Sequence, residues 1–96
     1  MEPIMQQIQM VEQSLQHILV QKQSVQAELF EIEAANEQLE GKQNAYYTVG
    51  NIMVQRPAVD ITHDLGERKQ VLEVRLQSLT KQEKQLKEKK EEFQKQ

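Results

Sequence analysis

Cysteine and tryptophan are absent from these 96 residues, proline occurs twice, glycine three times, and aromatic residues make up only 4%. Without cysteine there is no disulfide and no thiolate ligand for a metal, which fits a reducing, cytoplasmic setting. So little aromatic bulk is poor lining for an enzyme pocket. No apolar run approaches transmembrane length, and Met1-Glu2-Pro3-Ile4 lacks the basic and apolar regions of a signal peptide, so no membrane role is expected. A net charge of -3 gives no strong pull toward nucleic acid or an anionic membrane. The lysines between Lys84 and Lys95 are interrupted by Glu88, Glu91 and Glu92, the pattern of a solvated helix face.

What is present is a Gln/Glu/Lys/Leu bias that belongs to long helices. The first half can be written in heptads without a skip. Position a falls on Ile8, Leu15, Lys22, Leu29 and Asn36; position d falls on Ile4, Val11, Ile18, Val25, Ile32 and Leu39. Gly41 is the natural left-handed cap for a helix over 4–40. From Ile8 to Glu40 that helix extends about 50 Å, too long to wrap a compact core. In the second half Leu65, Leu72, Leu79, Leu86 and Phe93 recur every seventh residue as d, with Lys69, Leu76, Glu83 and Lys90 at a. This predicts a helix over 64–95 behind an irregular or short helical lead-in at 57–63. Pro57, Asp60 and Asp64 are the candidate start signals, and Asp64 with Glu67 would make a capping pair.

The two heptad stretches predict a mainly α fold and a single domain over 1–96, a long antiparallel coiled-coil hairpin of helices with one small β-hairpin at the bend. One register faces Leu15 with Leu86, Val25 with Leu76, Leu29 with Leu72 and Ile8 with Phe93. It sets Lys22 and Glu83 in neighbouring layers, where opposite charges would fix the alignment.

Residues 45–55 lose the 3.5 period and are rich in Tyr, Val, Thr and Ile. Gly50-Asn51 at their centre suits the positive φ angles of a two-residue hairpin turn. Pairing across it sets Val49 opposite Ile52 and Tyr47 opposite Val54, four residues on one apolar face; Tyr46, Thr48, Met53 and Gln55 share the other. An isolated hairpin is marginal and has two open edges. Its apolar face either covers the chain's own helices or joins hairpins of other chains, and the edges favour joining.

No catalytic constellation is found. His17 lies at a c position, outside the seam. His63 sits among Asp60, Thr62 and Asp64, which helix capping accounts for, so no metal site is expected. Gly41, Gly50 and Gly66 are too far apart for a phosphate loop, so no cofactor is expected and the chain reads as not an enzyme. At the N-terminus Met1, Ile4, Met5, Ile8, Met10 and Val11 concentrate apolar, adaptable side chains, with Phe93 to cover them. They form either a frayed helix start or a grip for non-native protein.

The segment Tyr46-Tyr47-Thr48-Val49-Gly50-Asn51-Ile52-Met53-Val54 resembles the Tyr-x-x-Val-Gly-x-x-x-Val hairpin of the prefoldin family, and the segments 21–29 and 72–79 resemble its archaeal β-type sequences. The resemblance covers nearly the whole chain. It implies an ATP-independent holding chaperone, a hexamer of two α-type and four β-type subunits. A β-barrel platform would form from the hairpins, and coiled-coil tips would hand unfolded protein to a group II chaperonin. It maps Tyr47, Val49, Ile52 and Val54 to assembly and Ile4, Met5, Ile8 and Phe93 to client binding, and Met10 and Val11 complete the candidate client-binding tip. Many members continue past the position of Gln96, which leaves docking through such a tail open. Lys69 stands where relatives often carry an apolar residue, implying a looser layer there. The competing readings are a coiled-coil scaffold that binds a folded partner, and a nucleic-acid-binding helical arm, for which the rod lacks a basic face.

Overall fold

A computed structural model describes residues 3–95. Two long helices flank one antiparallel strand pair, in the order α1 (Pro3–Leu39), β1 (Asn44–Val49), β2 (Ile52–Pro57) and α2 (Ala58–Gln94). Pro3 opens α1, where its missing N–H costs nothing. No glycine or proline interrupts α1 after that, so 37 residues run as one helix. Gly41 ends it at a φ of 72°, and Lys42 N–H donates to the Leu39 carbonyl at 3.1 Å.

The described residues group into two compact units. In the first, which joins the α1 residues up to Gln26 with the α2 residues from Val74, the buried side chains are Val11, Ile18, Val25 and Leu79. All four are d positions, while Ile8, Leu15, Leu76 and Glu83 at a are only half-buried. The ion pairs Glu12–Lys90 (3.2 Å) and Lys22–Glu83 (3.1 Å) run in opposite chain directions, so the helices of this unit are antiparallel. The second bond joins the two charges that the heptad register sets in neighbouring layers.

The second unit, Ala27–Glu73, holds the end of α1, both strands and the start of α2. Ile32, Ala58 and Leu72 are its buried apolar residues. Arg68 donates to Glu28 across it at 2.9 Å. Lys69, at its seam position, has its Nζ 3.9 Å from Glu73 and its side chain 40% exposed, so its charge reaches water.

The element boundaries shift from expectation: α1 runs over 3–39 where 4–40 was expected, and α2 ends at 94 where 95 was expected. The strands extend one residue earlier and two later than 45–55, and α2 starts at Ala58, so the lead-in at 57–63 is regular helix from its second residue. Pro57 closes β2 opposite Asn44, and Ala58 N–H donates to the Gln43 carbonyl at 2.9 Å. With the ladder ended there by a residue that has no donor, the chain turns straight into helix. Asp60 falls in the first turn, where a carboxylate meets the positive helix end. Asp64 caps nothing; it lies inside α2 and accepts a hydrogen bond from Arg56.

Candidate functional site

The register of the strand pair is Asn44↔Pro57, Ala45↔Arg56, Tyr46↔Gln55, Tyr47↔Val54, Thr48↔Met53 and Val49↔Ile52. Both apolar cross-strand pairs read from the sequence therefore form. The turn differs in detail. Gly50 has a φ of 61°, whereas Asn51 stays at negative φ. That is the type II′ pattern, with glycine first, and not the type I′ turn with two left-handed residues.

Alternation places Ala45, Tyr47, Val49, Ile52, Val54 and Arg56 on one face of the sheet. This face is graded. Tyr47, Val54, Ala45 and Arg56 at its base are half-buried, while Val49 and Ile52 beside the turn are 55% and 67% exposed. Only the turn end is free for another molecule. The opposite face is exposed throughout, and it carries Tyr46 at 65% and Met53 at 70%. Tyr46 and Met53 are not among the candidate residues read from the sequence, and they are exposed apolar side chains on the hairpin. The signal was available: both are large and apolar, and strands exposed on both faces carry such residues on both.

Arg56 is a third residue outside the set read from the sequence. Its guanidinium lies 5.1 Å from the centroid of the Tyr47 ring, and its Nη1 donates to Asp64 Oδ2 at 2.8 Å. The hydrogen bond to Asp64, the largest cause, raises the Arg56 pKa above its ordinary value. Strand and helix are thus tied by a charge held over an aromatic face.

The N-terminal set divides in the first unit. Met5 is 51% and Met10 66% exposed, Ile4, Ile8 and Phe93 are half-buried, and Val11 is 6% exposed. Val11 is a seam residue, because its d position turns it toward the interior; its side chain is not at the surface to grip anything. Met1 lies outside the described residues. Lys89 Nζ stands 5.9 Å over the Phe93 ring, so part of that aromatic face is taken by the chain's own cation. Met10 also borders an open groove of about 710 Å³ with His17, Ile18, Gln82, Leu86 and Lys89.

Among the described residues the histidines lie beside polar partners of the same chain. Outside the seam, His17 shares a 3.1 Å hydrogen bond with Gln21. His63, Asp64 and Glu67 bring ligand atoms within 4.8 Å of one another on an exposed surface. Asp64 is already bound to Arg56, and Glu67 lies 3.7 Å from His63, so intrachain partners account for the grouping. Among the described residues no helix is long and apolar enough to cross a membrane.

Comparison with known proteins gives a consistent result. The family model described as "Prefoldin subunit" matches residues 2–96. The prefoldin subunit beta of Thermococcus onnurineus is 40% identical over 86% of this chain and 74% of its own length. That of Archaeoglobus fulgidus is 35% identical over 85% of this chain and 73% of its own. In three dimensions the chain is similar to the crystal structure of the prefoldin beta subunit from Thermococcus strain KS-1. The TM-score is 0.87 at 36% identity, over 95% of this chain and 82% of that one.

Proposed function

The chain belongs to the prefoldin family, and from that premise we propose that it works as a β-type subunit of an ATP-independent, cytoplasmic chaperone that holds non-native proteins and passes them to a group II chaperonin. The observation that carries this reading is the two-stranded sheet with two open edges, whose turn end exposes Val49 and Ile52 and whose second face exposes Tyr46 and Met53. A two-stranded sheet is marginal alone, and open edges with apolar neighbours recruit further strands. The partners are other β-type copies and α-type prefoldin subunits, in a hexamer of two α and four β, and the 96 residues act as one β-type domain. Strand pairing between chains supplies the platform. Met5 and Met10, with Ile4, Ile8 and Phe93 beneath them, supply the adaptable apolar surface for clients, several weak contacts acting together.

The test is the mass of the chain alone and mixed with an α-type prefoldin subunit, followed by aggregation suppression of an unrelated denatured protein without ATP. A hexamer mass and suppression that disappears when residues 1–11 are deleted are expected. A monomer in both mixtures overturns the assembly reading, and suppression that survives the deletion overturns the client surface.

A further inference from the structure

The geometry points to Arg56 as the positioning residue of the assembly hairpin: its bridge from Tyr47 to Asp64 sets the angle at which the strand pair leaves α2. This rests on the assembly reading above. Nothing but the peptide link between Pro57 and Ala58 separates β2 from α2, and at the other end of the hairpin Glu40 to Gln43 form the connection to α1. Two backbone contacts brace this base, Ala58 N–H to the Gln43 carbonyl and the Asn44↔Pro57 pair. Both lie at the junction itself, and the half-buried Ala45, Tyr47 and Val54 seat the base of the sheet without a directional bond. Arg56 adds a side-chain bridge across the junction: its guanidinium lies 5.1 Å over the Tyr47 ring on β1 and 2.8 Å from the Asp64 carboxylate in α2. Among the described residues the Arg56–Asp64 pair is the ion pair that joins a strand to a helix.

Such a pair is modest in isolation, since Asp64 is 56% exposed. Its effect grows with copy number. A hairpin held at its bound angle loses less orientational freedom when it pairs with its neighbours. If release of the clamp weakens each hairpin about threefold, which one exposed ion pair can supply, four independent copies multiply this to about 80-fold in the assembly constant. Arg56 therefore acts through the sheet it orients.

The test compares Asp64→Ala, Arg56→Gln and the double variant, each mixed with an α-type prefoldin subunit and followed by sedimentation across a concentration series. The Asp64 change leaves every hairpin side chain intact, so it separates positioning from direct contact. Both single variants are expected to raise the dissociation midpoint by similar factors, the double variant by no more than either, with helix content unchanged by circular dichroism. Asp64→Ala assembling like the native chain overturns the clamp, whether or not Arg56→Gln is weakened. A fall in helix content parallel to the loss of assembly also overturns it, because the pair would then hold the fold. A native chain that never assembles overturns the assembly reading itself, a different failure.

Discussion

Lys22 Nζ lies 3.1 Å from Glu83 Oε1, and the two side chains are only 18% and 20% exposed. Both stand at seam positions that apolar residues would otherwise fill. Burying an ion pair gives little net stability, but breaking one leaves an uncompensated charge in a place where water reaches poorly. Lys22→Glu sets two carboxylates against each other there and is expected to cost roughly 1–3 kcal/mol, between the exposed and fully buried limits. At about 4–8 °C per kcal/mol for a chain of this size, the loss is measurable by thermal circular dichroism at fixed chain concentration. Adding Glu83→Lys restores the pair and is expected to recover most of the loss. An unchanged melting temperature in Lys22→Glu refutes a role for the pair in register.

The same glycine-to-alanine change is expected to have opposite signs at two positions. Gly50 holds a φ of 61°, where a Cβ is strained, so Gly50→Ala is expected to cost about 1 kcal/mol. Gly66 lies inside α2 at ordinary helical φ, and a Cβ there meets nothing within 4 Å. Gly66→Ala is therefore expected to add up to about 1 kcal/mol through helix propensity alone. Denaturant midpoints of the two variants check the pair, and equal signs refute it.

Heptad period, glycine cap and strand pairing were legible in the sequence because each depends on chain-local rules. Val11, Ile18, Val25 and Ile32 recur every seventh residue and are all buried, as one narrow stripe must be. The face of Tyr47, Val49, Ile52 and Val54 also follows from alternation about one turn. The grading of that face does not, because half-burial at its base and exposure at Val49 depend on how the sheet sits on its own helices. Arg56 was illegible for the same reason. Its partners lie nine residues back and eight ahead, on two different elements, and no periodicity relates them. The start of α2 at Ala58 was obscured by Asp64, which has the chemistry of a cap but is occupied by that arginine.

Burial separates two aliphatic residues only two positions apart on α2. Leu72 is 2% exposed, and Leu72→Ala is expected to cost about 2–5 kcal/mol, from lost transfer energy and the cavity left behind. Val74 is 65% exposed, so Val74→Ala is expected to stay within about 0.5 kcal/mol. Urea unfolding of both variants at one chain concentration checks the contrast. A comparable loss at Val74 means that another chain covers that face in solution.

Met10 and Val11 are neighbours in sequence with opposite surroundings, 66% and 6% exposed. This separates gripping a client from holding the helices together. Met10→Ser, alone or with Met5→Ser, removes adaptable apolar surface from the outside and leaves the seam untouched. It is expected to weaken aggregation suppression severalfold while each substitution moves the melting temperature by no more than about 4 °C, since exposed changes stay within about 0.5 kcal/mol. Val11→Ser places a hydroxyl in the buried stripe and is expected to lower stability by about 1–3 kcal/mol. Any loss of suppression in that variant should then follow its unfolding and vanish at temperatures where it remains folded. Suppression measured at several temperatures, beside melts of the same samples, checks both halves. If Met10→Ser suppresses aggregation as well as the native chain, the client surface does not lie on the exposed methionines.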